Sequence, residues 1–474
     1  MKALADSSIP VKSITDMTGF PEILDGRVKT LHPAIHGGIL ARLDNKKHIE
    51  QMKEHNLESI DLLVVNLYPF EQTLENNSSH EELIENIDIG GPGMLRAAAK
   101  NYLWTAPVTN PGKYSEIIEI LKNNGCTIDE QYRLILCSEV FSHTSYYDSL
   151  IAGYLNKIVE NSLPVIYGVP MSKAQELRYG ENPHQHASLY GNFNKIFKQI
   201  HGKELSYNNI LDIDGATKLI LEFEEPSLAI IKHTNPCGVA SGASLKEAWE
   251  KAYTTDTISA YGGIIAVNRQ IDKLTAETIH SLFTELIIAP EFTGEALEIL
   301  TKKRDRRLIV ADYDMLSKSF TNDVRAVAGG FLVQKTDTIL FDKKNLKVAT
   351  NRAPSQEEFQ ALMFAWKVCK HVKSNAIVYT SADRTLGIGA GQMSRVDSAR
   401  IAVEKAKMMG LDLKGSVLAS DAYFPFADGI IQAVEAGATA IIQPGGSVRD
   451  EEVIREANEN NIAMLFTGMR HFRH

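Results

Sequence analysis

Two hydrophobic patterns alternate along this chain. Short continuous apolar runs, at 61–68 (DLLVVNLY), 228–231 and 284–290, predict strands buried on both faces of a sheet. Between such runs the apolar residues recur at helical spacing, over 47–55, 81–86, 94–101 and 114–123, with one long helix over 129–160. Residues 3–8 read as the end of a helix, and 11–14 and 104–108 as further strands. Strand alternating with helix predicts an α/β fold on a parallel sheet. Residues 164–170 hold two prolines and read as a linker. The expected domains are therefore 1–163 and 164–474.

The run at 228–231 leads into Lys232-His233-Thr234-Asn235-Pro236-Cys237-Gly238. We expect a turn there and then a helix, with Ser244 as N-cap, Glu247 at capping-box spacing and an apolar face of Leu245, Ala248, Trp249 and Ala252. Lys232 and His233 then end a strand at the edge where α/β folds bind ligands. A neutral His accepts a proton near pH 7, and a neighbouring Lys stabilises developing negative charge. The plain alternative is a capping His beside a solvated Lys. Zinc is the other reading, since Pro236-Cys237 echoes the P-C-x-x-C of zinc deaminases. The second Cys would fall at Ala240, and the H-x-E triplets at His48 and His80 lie far upstream, so the ligand count fails.

A strand–turn–helix pattern recurs around 375–395. Gly387, Gly389 and Gly391 form a loose echo of a nucleotide loop. Ser394 and Asp397 make a capping box, Ala399, Ala402, Val403 and Ala406 line a helix face, and Gly410 ends it. We read this as an internal repeat within the larger domain.

Composition narrows the classes. The chain has 474 residues, 44% hydrophobic and 23% charged, an ordinary globular balance. Its 59 acidic against 50 basic residues argue against nucleic-acid partners, which favour a basic surface. Four cysteines without paired spacing fit a reducing cytoplasm. No apolar run approaches the ~20 residues that cross a bilayer, and no apolar leader opens the chain.

Other clusters carry weaker signals. Arg27 and Lys29 share one face of an extended segment beside Gly26, which suits a phosphate. Asn66 and Tyr68 end a strand. Asp88 precedes a Gly-rich helix start whose amides favour anions, and Lys100 lies on that helix. Read singly, Asp88 is a cap and Lys100 a surface lysine. His32 and His36 lack the carboxylates of a metal site. Tyr423, Phe424 and Phe426 near Asp421 and Asp428 could stack a flat heteroaromatic ring or simply pack.

Taken in order, these stretches resemble one family, the bifunctional purine-biosynthesis enzymes that join AICAR transformylase to IMP cyclohydrolase. The resemblance runs through Asp25-Gly-Arg-Val-Lys-Thr-Leu-His-Pro33, Asn66-Leu-Tyr-Pro-Phe70, Asp88-Ile-Gly-Gly91 and Arg96-Ala-Ala-Ala-Lys-Asn101. It continues through Leu177-Arg-Tyr-Gly180, Lys232-His233, Gly387-Ile-Gly-Ala-Gly-Gln392, Ser420-Asp-Ala422 and Arg470-x-Phe472-x-His474. It implies an N-terminal methylglyoxal-synthase-like α/β domain and a C-terminal transformylase domain of two cytidine-deaminase-like halves. It implies His233 as general base, Lys232 as oxyanion stabiliser and Asn375 as orienting group. Arg178, Tyr179, Gly262, Glu285 and Arg395 would hold AICAR and its phosphate. Val396, Tyr423, Gly445, Gly446 and Arg470 would lie along 10-formyltetrahydrofolate. Arg27, Lys29, Thr30, Asn66, Tyr68, Asp88 and Lys100 would bind formyl-AICAR and close it to IMP. No metal is implied, and a homodimer with shared transformylase sites is. The family opens with a strand, a helix and a Ser-x-Gly-Gly-Thr phosphate loop, whereas this chain starts inside that helix, so we expect the loop to be lacking and ring closure to be impaired. Transformylase activity alone, or a silent nucleotide-binding protein, are the alternatives.

Overall fold

The computed structural model describes residues 2–320 and 322–474. The chain divides into two compact units, Met1–Ser172 and Lys173–His474, so the division falls somewhat after the linker expected at 164–170.

In the first unit, strands Leu62–Val64 and Ala106–Val108 pair in parallel. Helix Gly90–Lys100 and the long helix Glu130–Ile158, N-capped by Asp129, pack beside them around Ile35, Ile39, Leu63, Leu95, Ala98 and Val140. Two expectations need correction. The run at 61–68 forms only three strand residues, and Leu62 and Val64 stay 39% and 47% exposed, because only the Leu63 face packs on the core. The strand expected at 11–14 is instead the start of helix Ile14–Thr18. Ser13 and Asp16 make a reciprocal capping box, and that local bonding outweighs the β-branched pattern.

The second unit opens with the hairpin Lys173–Leu177 and Ala187–Tyr190. Two six-stranded sheets follow with the same topology. The first runs in the order Phe197–His201, Arg307–Ala311, Leu286–Ala289, Ile264–Val267, Ser227–Lys232, Asn235–Ser241. The second runs Lys347–Val348, Ala463–Phe466, Ala440–Gln443, Val417–Ser420, Ile377–Thr380, Thr385–Gly389. Each has two parallel pairings in its middle and ends in an antiparallel hairpin. The repeat expected from sequence is thus a duplicated half, but its motif is strand–turn–strand–helix. The turn at His233 leads into a second strand before the helix Leu245–Tyr253, whose Ser244 cap forms as expected. Helices Tyr207–Ile220 and Gln356–Cys369 lie in one core shared by both sheets, with Trp366 fully buried.

The two end hairpins meet. Val239 N–H donates to Thr385 Oγ1 at 2.9 Å, and Ala240 bridges Arg384 antiparallel. Hence the start of one hairpin strand, at Asn235, comes close to the end of the other, beyond Gly389.

Gly387 and Gly389 serve this packing within strand Thr385–Gly389 and form no nucleotide loop. A Cβ on Gly389 would lie 1.9 Å from the Ser398 carbonyl oxygen, and one on Gly387 2.4 Å from that of Ala402. Gly238 repeats the device in the first half, 2.0 Å from the Ala252 carbonyl oxygen. In both halves the hairpin strand touches its helix through backbone. Gly389→Ala is therefore expected to lower stability by at least the ~1–3 kcal/mol of core overpacking. Urea denaturation checks this, and an unchanged midpoint would refute the close approach.

Candidate active site

The tip of the first hairpin is a two-residue turn, since Lys232 pairs directly with Asn235. Such turns need positive φ at both central residues and normally use Asn-Gly. Here the residues are His233 (φ 51°) and Thr234 (φ 61°). Left-handed backbone costs roughly 1–2 kcal/mol per L-residue, and a β-branched Thr is a poor occupant. Three contacts hold the turn. Thr234 N–H donates to Asp212 Oδ1 at 2.6 Å, Thr234 Oγ1 donates to the His233 carbonyl at 2.7 Å, and Asn235 Nδ2 reaches the same carbonyl at 3.3 Å. Burial raises Asp212 above the usual carboxylate range, although the Thr234 amide and the nearby His233 charge pull the other way. Strain concentrated on a His at a strand end points to function.

Lys232 Nζ donates to the Tyr261 carbonyl at 2.9 Å, which aims it along the neighbouring loop. Two cavities meet at this tip. The larger, about 880 Å³, is lined by Tyr179, Asn209, Asp212, Gly262, Glu285 and a basic wall at 303–307. The smaller, about 310 Å³, is lined by Asn235, Cys237, Asp256, Ser259, Gln392 and Lys405. Lys232 and His233 line both.

The second half contributes from across the junction. Lys373 N–H donates to Asn235 Oδ1 at 2.9 Å, tying the loop before Asn375 to the hairpin. Asn375 Nδ2 donates to the Gln392 carbonyl at 2.8 Å, and its own carbonyl accepts from Ser398 Oγ at 2.8 Å. Asn375 is thereby fixed next to a residue of the smaller cavity. Arg395 is differently placed than a free phosphate ligand would be. Its Nε donates to Ser420 Oγ at 3.1 Å and its Nη2 to the fully buried Asp421 at 3.0 Å. Asp421 also accepts from Ser374 Oγ at 2.5 Å. Arg395 and Arg470 both stack on the Phe472 ring, at 6.0 and 4.6 Å.

Of the expected residues, Tyr179, Gly262, Glu285, Lys232 and His233 share the large cavity, and Glu285 accepts from Asn209 Nδ2 at 3.3 Å. Arg178 is exposed beside it, over the Tyr179 ring at 5.7 Å. Val396, Tyr423, Gly445, Gly446 and Arg470 line neither cavity. Val396 opens helix Arg395–Met408, and Tyr423, Gly445, Gly446 and Arg470 follow the inner strands of the second sheet, with Val396, Tyr423, Gly446 and Arg470 exposed. Asp212, Asn209, Asn235 and Gln392 escaped the sequence reading. Cys237 is a neutral thiol, since burial and then the Asp256 charge push it up to about 12. Among the described residues no group of three or more His, Cys, Asp or Glu side chains could hold a metal ion, and no helix is long and apolar enough to cross a membrane.

In the first unit, Lys29 pairs with Glu22 at 2.8 Å and Arg27 with Glu85, all on the surface. The hydrogen bond and charge of Glu22 raise Lys29, with Tyr68 adding to the effect, so Tyr68 lies within electrostatic reach. Asp88 Oδ1 accepts from Gly91 N–H at 2.7 Å, and Asp88 N–H donates to Tyr147 Oη at 2.9 Å. A Cβ on Gly90 would lie 2.5 Å from Thr30 Oγ1, which sets Thr30 against the helix start. Asn66 Oδ1 accepts from Tyr114 Oη at 3.0 Å. Lys100 stands at the far end of helix Gly90–Lys100, roughly 15 Å along its axis, and is not brought to Asp88 within this chain.

Two family models match the chain, and the second along it begins inside the first unit. Residues 98–405 match the family described as AICARFT/IMPCHase bienzyme, and residues 1–93 match the MGS-like domain. The chain is 52% identical to the bifunctional purine biosynthesis protein PurH of Chlorobaculum parvum, 53% to that of Chloroflexus aurantiacus and 49% to that of Bacillus subtilis. Each alignment covers 100% of this chain and 92–93% of the relative. The expected lack of the family's opening segment is not supported, since the MGS-like match begins at residue 1. The doubt about ring closure rested on it and falls with it.

Proposed function

This chain belongs to the family of AICAR formyltransferase/IMP cyclohydrolase bienzymes, and from that premise we propose how its own residues carry the two reactions. It formylates AICAR and closes formyl-AICAR to IMP in purine biosynthesis.

The observation that carries the reading is that Lys232 and His233 line both cavities. AICAR occupies the larger one, with Tyr179, Gly262 and Glu285 around it and Arg178 at its mouth. The formyl donor, 10-formyltetrahydrofolate, approaches from the side of the second half, where Asn375 and Arg395 are fixed, with Val396, Tyr423, Gly445, Gly446 and Arg470 along its length. His233 takes the proton from the weakly nucleophilic amine as nitrogen attacks the formyl carbon. Lys232, rotated from the Tyr261 carbonyl, stabilises the oxyanion. The carbon–nitrogen bond to the folate then breaks, and tetrahydrofolate leaves with the proton. No step requires a metal.

In the first unit Lys29, Tyr68 and Asp88 act on formyl-AICAR, with Arg27, Thr30 and Asn66 holding it. The carboxamide nitrogen attacks the formyl carbon, water leaves and the purine ring closes. Lys100 belongs to this set by resemblance.

The working form is a cytoplasmic homodimer that shares transformylase sites. The site residues scattered from Arg178 to Arg470 support this, and so does the exposed hairpin Asn322–Val327 and Gly330–Lys335, with Phe331 70% exposed. A monomeric mass at micromolar concentration would overturn the dimer.

Supplying AICAR and 10-formyltetrahydrofolate tests the first reaction, and supplying formyl-AICAR alone tests the second. Formyl-AICAR followed by IMP is expected. Absence of formyl-AICAR from a folded protein would overturn the transferase assignment.

A further inference from the structure

The segment 470–474 runs along the loop that carries Asn375. His471 is 2% exposed. Its N–H donates to the Asp421 carbonyl at 3.1 Å, and its ring bonds Asp337 Oδ2 at 2.6 Å and the Leu340 carbonyl at 2.8 Å. Ser374 N–H donates to the Arg473 carbonyl at 2.9 Å, and Arg473 N–H to Ser374 Oγ at 3.0 Å. The His474 carbonyl accepts from Arg325 Nη2 at 2.7 Å. Backbone and ring contacts thus seat this segment without the Arg473 side chain.

That side chain reaches across to the first half. Arg473 Nη1 donates to the His371 carbonyl at 2.9 Å. Its Nη2 lies against helix Tyr207–Ile220, where a Cβ on Gly215 would be 3.4 Å away. The same Cβ would lie 3.6 Å from Thr234 Cα and Cβ. The guanidinium and the strained turn therefore meet over one glycine. No ion pair answers the charge among the described residues. Asp214 pairs with Lys218 at 2.8 Å, and Asp323 accepts from Gln334 Nε2 at 3.2 Å. Burial lowers Arg473 below the usual arginine range, with the charges of Asp214 and Asp323 opposing it. Burying a guanidinium without an ion-pair partner is a cost that an apolar residue would avoid. What the planar fork supplies in return is a grip on two elements at once, which the single ammonium of a lysine does not give.

We propose that Arg473 is a positioning residue for formyl transfer, setting the His233–Thr234 turn of the first half against the Asn375 loop of the second. This rests on the formyl-transfer reading for what the two elements do. Arg473 lines neither cavity, so it acts through placement. Lys373 N–H grips the turn at Asn235, and Arg473 comes to it at Thr234. Asp212 closes the turn on itself, whereas Arg473 fixes where the turn stands. Reacting groups tolerate little error, since a misplacement of ~1 Å costs on the order of 10²-fold.

The test uses the full chain with Arg473→Met, which keeps an apolar stem, and Arg473→Lys, which keeps the charge without the fork. The measurements are kcat and KM for AICAR in formyl transfer, ring closure of supplied formyl-AICAR, and hydrogen exchange of a peptide spanning 228–240. Arg473→Met is expected to lower kcat by roughly 10–10²-fold and to leave KM for AICAR within about twofold, because Tyr179, Gly262 and Glu285 are untouched. Ring closure in the first unit should be unchanged, and exchange at the turn faster. Arg473→Lys should lose less in the same direction, and it replaces the Met variant if that does not fold. A general weakening, in which KM, ring closure and exchange change together with kcat, would reduce Arg473 to a structural tie and overturn the proposal. So would an unchanged kcat, or a lowered kcat with exchange at the turn unaltered. If the unsubstituted protein transfers no formyl, the underlying reading fails instead, and exchange at the turn still decides whether Arg473 holds it.

Discussion

Alanine at His233 is expected to slow formyl transfer by roughly 10²–10⁴-fold while AICAR still binds. That range corresponds to about 3–5 kcal/mol at the transition state. The basis is geometric. His233 stands at the junction of two cavities, at the tip of a turn whose left-handed backbone is held by Asp212. AICAR binding should survive because Tyr179, Gly262 and Glu285 are untouched. Alanine tolerates the positive φ no better than His, so the turn gains nothing that could mask the loss. The measurement is single-turnover formyl transfer beside equilibrium AICAR binding. Turnover near that of the unsubstituted protein would remove His233 from the role of base.

Some of this site was legible in the sequence, and the rest had physical reasons for staying hidden. Lys232 and His233 stood out because an apolar strand ends on them. The turn type did not, because His-Thr carries none of the Asn-Gly signal that positive φ usually requires, and so a strand was read as a helix approach. Asp212 and Asn209 sit inside the amphipathic pattern of helix Tyr207–Ile220, where nothing local marks them. Their importance arises only when Thr234 and Glu285 are brought against that helix. The duplication was visible in the spacing of Gly, Ser and Ala residues around 387–406. The purpose of Gly387 and Gly389 was not visible there, since close approach to the Ala402 and Ser398 carbonyls is a tertiary fact. In the first unit, an apolar run at 61–68 announced a buried strand. Burial depends on what covers a residue, and Leu62 and Val64 are uncovered.

The second large effect is expected at Glu222, a residue the sequence did not single out. Its Oε1 accepts from Lys370 Nζ at 2.8 Å and from His371 Nε2 at 2.9 Å. The Lys370 side chain is 3% exposed and that of Glu222 17%. Burial alone would raise Glu222, but the hydrogen bonds and charges of His371 and Lys370 prevail and hold it at about 2. Burial in turn pushes His371 down to about 4, despite Glu222, so it is neutral at pH 7. Glu222→Ala leaves Lys370 as an uncompensated buried cation, which destabilises by roughly 3–5 kcal/mol. Both folded values lie below their unfolded ones, so the unfolded chain binds more protons in the intervening range. Stability is full above about pH 6.5 and falls as His371 is titrated towards 4, then further as Glu222 is titrated from about 4.3 towards 2. The variant should lose the lower part of that acid dependence along with its stability at pH 7. Function should follow, because the same segment leads into the site. Arg473 Nη1 donates to the His371 carbonyl and Arg473 N–H to Ser374 Oγ, one residue before Asn375. Urea unfolding at pH 7 and pH 4, with formyl transfer measured where the variant is fully folded, separates the two effects. A loss under about 1 kcal/mol at pH 7 would show that Lys370 does not depend on Glu222 for its charge.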